Sequence, residues 1–186
     1  MNGPAPEAEE SDDPMVGSTI DGKYKILAPI GTGGMATVYK AWHLMLQRVM
    51  AIKFILPGTA QSVRFRERFF REAQIASKLR HPNLVETREF GETPDGQFYM
   101  LMDFCAGRSL TELLTQDGPM APAAGARVMI QILSALGEAH RHSVIHRDVK
   151  PSNIVVDEDG VAKLLDFGLA KSLEGDETTR DTTKIG

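Results

Sequence analysis

The stretch Val144-Ile145-His146-Arg147-Asp148-Val149-Lys150-Pro151-Ser152-Asn153, with Asp166-Phe167-Gly168 a short way downstream, constrains this chain more than any other. An Asp, a Lys two residues on and an Asn five residues on can all point from one tight loop into one small volume. Phosphoryl transfer needs such a set: a carboxylate to orient a hydroxyl nucleophile, a cation for the phosphate and an oxygen ligand for magnesium. Asp166 arrives from a different turn and can share the metal. An acidic turn with ordinary capping would account for single residues here, but not for two motifs in this order.

The pattern H-R-D-x-K-x-x-N with D-F-G beyond it resembles the signature set of the protein kinases. The resemblance implies an α+β fold: a five-stranded antiparallel sheet with one helix as the N-lobe, then a helical C-lobe carrying the catalytic loop. It divides the chain into a disordered acidic tail (1–19), an N-lobe with the start of the hinge (20–104), and a partial C-lobe (105–186). The pattern begins near Tyr24 and is still in progress at Gly186, inside what would be the activation loop. Nothing matches the family's Ala-Pro-Glu motif, so the expectation is a catalytic domain truncated in that loop.

In chain order, residues 1–18 hold three prolines, several acids and few apolar groups, so a solvated tail is expected. Tyr24 to Ile30 and Thr37 to Trp42 read as strands around Gly31-Thr32-Gly33-Gly34-Met35-Ala36. Glycines let a backbone approach phosphate oxygens and present N–H groups to them, although a Gly-rich hairpin alone is common. The third glycine of G-x-G-x-x-G is replaced by Ala36, and the form G-x-G-G-M-A-x-V-Y looks like bacterial kinases of the eukaryotic-like type. Val49 to Phe54 alternates around Lys53 and reads as a strand. A lysine on a buried strand face is costly unless paired. By the resemblance, its partner is Glu72 on a helix from about Ser62 to Leu79, with Glu67 the competing candidate. His81-Pro82-Asn83 ends that helix, and His81 is expected to be structural. Strands at Glu86 to Gly91 and Gln97 to Asp103 follow, joined at Thr93-Pro94-Asp95-Gly96. Ser109 and Glu112 form a capping box for a short helix to Thr115. A longer helix, Ala121 to His142, carries Val128, Ile132, Leu136, Ile130 and Leu133 on a broad apolar face. His140 and His142 at its end read as packing or dipole partners, with no residues spaced to complete a zinc site.

The resemblance then assigns roles. Asp148 orients the substrate hydroxyl, Lys150 neutralises the transferring phosphoryl group, and Lys53 with Glu72 holds the ATP phosphates. Asn153 and Asp166 bind Mg2+. ATP is expected against Ile30, Gly31, Thr32, Gly33, Gly34, Val38, Ala51, Lys53, Met102 as gatekeeper, Asp103 and Cys105 as hinge contacts, and Val155. Lys150 within D-x-K-P-x-N is similar to the Ser/Thr-specific members. Arg147 marks the class in which a phosphorylated activation loop pairs with that arginine, and Thr178, Thr179, Thr182 and Thr183 lie in the segment to be modified.

Composition excludes other classes. A net charge of −4 and a pI near 5.7 argue against a nucleic-acid partner. One cysteine, Cys105, rules out an internal disulfide and fits a reducing cytoplasm. No apolar run reaches the roughly 18 residues of a membrane span, so an anchor would have to lie beyond residue 186. The partners expected are protein substrates and ATP, with a homodimer for autophosphorylation. The rival expectation is a non-catalytic nucleotide-binding or protein-interaction module, with part of the Val128–Leu136 face exposed.

Overall fold

The computed structural model describes residues 5–34, 36–56, 67, 70–71, 73–75 and 77–165. They fall into two compact units: residues 1–63 with 86–104, and residues 64–85 with 105–186. One division between the units falls at 104/105. The segment 64–85, expected in the first unit, groups instead with the second. Its Leu79 and Leu84 explain why, since they are buried in the second unit's core.

In the first unit, β1 (Thr19–Ile20), β2 (Tyr24–Thr32), β3 (Ala36–His43), β4 (Arg48–Ile55), β5 (Thr87–Glu92) and β6 (Phe98–Asp103) form one antiparallel sheet, in the order β1-β2-β3-β4-β6-β5. The five expected strands are all present, and β1 adds a short sixth at the edge. Its signal is Asp21-Gly22, which joins β1 to β2 with φ of 50° and 65°, the two positive values a type I′ hairpin requires. The β5–β6 turn closes as expected, with Thr93 N donating to Gln97 O at 2.9 Å and Gly96 at φ 84°.

Register decides which side chains share a face. Val38 lies opposite Lys53, Lys53 opposite Met100, and Ala51 opposite Met102. Side chains alternate along a strand, so Val38, Ala51, Lys53 and Met102 fall on one face of the sheet. Tyr39, Met50, Ile52, Phe54, Tyr99 and Leu101 fall on the other, where with Tyr24, Ile26 and Ala41 they form the core cluster.

The expectation of a disordered tail over 1–19 is corrected for residues 5–19. Met15, Val16 and Ile20 pack against that core cluster. Glu9 N donates to Leu27 O at 2.9 Å and Gly17 N to Ile26 O at 3.0 Å. Asp13 accepts from Met15 N through Oδ1 and from the Tyr39 hydroxyl through Oδ2, both at 2.9 Å. Average composition hid a few apolar residues placed where an aromatic sheet face needs a cover.

A polar knot lies at the edge of the same face. Tyr24 OH donates to Glu89 Oε2 at 2.8 Å, Tyr99 OH sits 2.6 Å from Asp21 Oδ2 and 3.1 Å from Glu89 Oε1, and Lys23 pairs with Glu89 at 3.3 Å. Burial pushes the Glu89 carboxyl up, but the hydrogen bonds from Tyr24, Tyr99 and Lys23 outweigh it and hold it below its ordinary 4.5. A carboxyl depressed in the folded state stabilises the fold above its unfolded pKa and loses that contribution as pH falls through the folded value. Glu89→Gln should therefore flatten the loss of stability below about pH 4.5 in urea melts run as a pH series. An acid limb as steep as wild type would place the depressed carboxyl elsewhere.

The second unit is built around α2 (Pro122–Arg141), whose Val128, Ile132, Ala135 and Ala139 are buried with Leu79, Leu84, Ile154, Ala162 and Leu164. A small sheet, β7 (Arg108–Ser109), β8 (Ile154–Val156) and β9 (Ala162–Leu164), packs on that helix. Helix α1 (Leu110–Gln116) starts at the expected box: Glu112 N donates to Ser109 Oγ at 3.1 Å and Ser109 N to Glu112 Oε2 at 2.7 Å. Ile130 and Leu133, expected on the same broad apolar face as Val128, are 67% and 59% exposed. The helix therefore buries one stripe against the core and leaves a second, with Met129, uncovered.

Candidate active site

Two of the expected catalytic residues, Asp148 and Lys150, meet the expected metal ligand Asn153 within the second unit. Past α2 the chain turns through Ser143 (φ 59°) and Arg147 (φ 64°), left-handed conformations that non-glycine residues adopt at a cost. His146 anchors the loop. Its ring is 1% exposed, with Nε2 2.8 Å from Leu165 O and Nδ1 3.3 Å from Asp148 N. Since a main-chain N–H only donates and a carbonyl only accepts, the imidazole is held as the neutral Nε2–H tautomer. The sequence reading gave His146 no role beyond its place in the motif. Its two ring nitrogens tie the Asp148 main chain to the Leu165 carbonyl.

Pro151 opens a short 3-10 helix, Pro151–Asn153, whose fixed φ suits a first helical turn. That turn brings the Asn153 side chain back, so that Nδ2 donates to Asp148 O at 2.8 Å and to Asp148 Oδ2 at 3.1 Å. Lys150 Nζ lies 2.8 Å from the same Oδ2. The expected carboxylate, cation and amide thus occupy one cluster. Leu165 N donates to Asn153 O at 2.8 Å and ties the residue before Asp166 to it. Asp166, Glu72, Thr178, Thr179, Thr182 and Thr183 lie outside the described residues.

The Asn153 amide nitrogen is committed to Asp148, which leaves Oδ1 as its remaining coordinating atom. A carboxamide oxygen beside carboxylate oxygens is the hard donor set Mg2+ takes, with water filling its other positions. This fits the metal role expected of Asn153. Among the described residues no group of three or more His, Cys, Asp and Glu gathers. His142 instead sits 3.0 Å from Glu138, and His81 3.1 Å from Ser134 Oγ.

In the first unit, Val38, Ala51, Lys53 and Met102 share the sheet face opposite the aromatic core, as the register requires. Ile30, at the outer end of β2, is half exposed. Thr32 pairs with Thr37, and Gly33 N donates to Ala36 O at 2.9 Å to close the loop. A Cβ added at Gly31 or Gly34 would meet nothing within 4 Å, and one at Gly33 only Ala36 O at 3.8 Å. None of the three has a positive φ. Among the described residues, neither crowding nor a positive φ demands glycine here. Glycine at these positions leaves the room for close backbone approach that the expected phosphate-covering role calls for. Gly33→Ala should then leave the melting temperature within about a degree and weaken ATP binding several-fold by calorimetry, on the order of 1 kcal/mol. Equal ATP affinity in the two proteins would end that account.

Asp103 and Cys105 fall on either side of the unit boundary. Val155, in β8, lies opposite Ser109 and Lys163. It points to the side away from Ile154, which enters the core.

The protein kinase domain model matches residues 24–185. The chain is 41% identical over 172 residues to serine/threonine-protein kinase PrkC of Bacillus subtilis, covering 92% of this chain and 26% of that protein. It is 41% identical over 173 residues to PknD of Mycobacterium tuberculosis, covering 93% and 26%. The PknI kinase domain of Mycobacterium tuberculosis superposes with a TM-score of 0.71 at 33% identity, over 82% of this chain and 62% of that one. The chain thus spans about a quarter of the length of these curated relatives.

Proposed function

Since this chain belongs to the protein kinase domain family, we propose that it transfers the γ-phosphate of ATP to serine or threonine hydroxyls of protein substrates. The observation that carries the reading is the convergence of Lys150 and Asn153 on one oxygen of Asp148. A substrate hydroxyl beside Asp148 finds a carboxylate already oriented by two donors, so little reorganisation is needed as its proton is withdrawn. Lys150, half exposed, can exchange its contact with Asp148 for a phosphoryl oxygen as negative charge develops. Mg2+, when bound by Asn153 and Asp166, neutralises phosphate charge. Lys53, on the β4 face shared with Val38, Ala51 and Met102, is assigned to the ATP phosphates with Glu72 as its partner. Serine/threonine selectivity rests on Lys150, and pairing of Arg147 with a phosphorylated threonine among Thr178 to Thr183 is the regulatory counterpart.

The second reading, a module that binds nucleotide or protein without catalysis, is favoured by the exposed Met129, Ile130 and Leu133 stripe. One assay separates the two. Transfer of labelled γ-phosphate to a serine/threonine protein substrate, lost in Asp148→Asn, supports the kinase. A rise in melting temperature with Mg-ATP but no transfer supports the module. Among the described residues no helix is long and apolar enough to cross a membrane.

A further inference from the structure

A cluster of four charged residues sits at the end of β6, behind the strand residue assigned to the nucleotide. The β5–β6 register slips between Thr87, opposite Met102, and Glu89, opposite Leu101, so Arg88 is the extra residue of a bulge. A bulge re-aims its side chain out of the strand's alternation. Here it turns the Arg88 guanidinium onto the Asp103 carboxylate as a fork, Nε to Oδ1 at 2.9 Å and Nη2 to Oδ2 at 2.5 Å. The third nitrogen, Nη1, pairs with Glu86 Oε2 at 2.9 Å. From the neighbouring strand β4, Arg48 Nη2 reaches Asp103 Oδ1 at 3.6 Å. The main chain is tied as well, with Asp103 N donating to Glu86 O at 3.0 Å.

We propose that Arg88 is a positioning residue for the adenine of ATP, acting through Asp103. This rests on the nucleotide reading above. Asp103 lies opposite Met50, so its side chain belongs to the aromatic-core face, and Met102 beside it faces the Val38, Ala51 and Lys53 side. The carboxylate is therefore gripped from the far face, where it cannot touch nucleotide. What the grip fixes is the main chain. Because the Asp103 amide is already committed to Glu86 O, the hinge contact expected of Asp103 falls to its carbonyl, which only accepts. An adenine amino group is the matching donor. A planar fork suits this work, because it fixes orientation as well as distance. Glu86 holds the guanidinium's other edge, and Arg48 adds charge without a second fork.

The test is calorimetric titration of Arg88→Met, Arg88→Lys and Arg48→Met with three probes: Mg-ATP, adenosine and inorganic tripolyphosphate. If the fork keeps the strand end in its binding geometry, losing it reduces the competent population and raises the apparent dissociation constant by the same factor. Arg88→Met should weaken ATP and adenosine in parallel, by about fivefold if the competent fraction falls to roughly a fifth, and leave tripolyphosphate unchanged. Arg88→Lys, which keeps the charge but not the fork, should recover only part of the loss, and Arg48→Met should lose less than Arg88→Met. Equal weakening of all three probes in a folded Arg88→Met would overturn the proposal, as would unchanged adenosine affinity in that variant. Should Arg88→Met fail to fold, the Arg88→Lys titration decides by the same criterion. If wild type binds neither ATP nor adenosine, the nucleotide reading itself falls and takes this role with it. If wild type binds and the Arg88 variants bind equally, only the positioning role falls.

Discussion

Asp148→Asn should lower kcat for phosphate transfer by about 10²- to 10⁴-fold while barely moving the melting temperature. The substitution is nearly isosteric. The Asn oxygen can still accept from Asn153 Nδ2 and Lys150 Nζ, the two donors that converge on Asp148 Oδ2. What disappears is the negative charge and the basicity that attract the hydroxyl proton. The local scaffold does not depend on that charge. His146 is held by Leu165 O and by the Asp148 main chain, and Asn153 also donates to Asp148 O. KM for ATP should stay near wild type, since Asp148 is assigned to the hydroxyl and not to the nucleotide. Steady-state kinetics with labelled ATP, alongside a thermal melt, reads both quantities. A variant that keeps more than a tenth of the wild-type kcat would remove Asp148 from the reaction.

Much of this site is legible in the residues because its geometry is local. Asp148, Lys150 and Asn153 lie within six positions, and Pro151 starts the turn that folds the amide back onto the acid. The Ser109–Glu112 capping box is local in the same sense, and the alternation in β4 puts Lys53 and Ala51 on one face from sequence alone. What escapes the sequence depends on partners distant along the chain. Nothing local to Arg88 announces a bulge, because the register slip exists only against β6. The wrap of residues 5–19 depends on Tyr39 needing a carboxylate and on an aromatic face needing Met15 and Val16 over it. Leu79 and Leu84 look the same whichever unit receives them. Only the buried face of α2 settles that they join the second. Asp21-Gly22 is the exception, a local hairpin signal that was present and carried a strand with it.

Gly107→Ala should cost the largest stability loss of any glycine-to-alanine change among the described residues of the second unit, about 3 kcal/mol or more. Two penalties add there. Gly107 has φ 135°, a region essentially closed to residues with a Cβ. The added carbon would also sit 2.4 Å from Val156 O and 2.9 Å from Val156 C, main-chain atoms that no side-chain rotation can clear. Relief requires β7 to move away from β8, which breaks the pairing of Arg108 with Val156 and Ser109 with Val155. Ser109 is also the N-cap of α1, so the damage spreads to that helix. Gly160→Ala separates the two penalties, because Gly160 has φ 77° but nothing within 4 Å of an added Cβ. It should cost only about 1 kcal/mol, the backbone penalty alone. Urea denaturation of the two variants measures the difference. A Gly107→Ala loss no greater than that of Gly160→Ala would mean that β7 and β8 do not approach this closely. Val155, assigned to the adenine, would then stand on a looser support than the register implies.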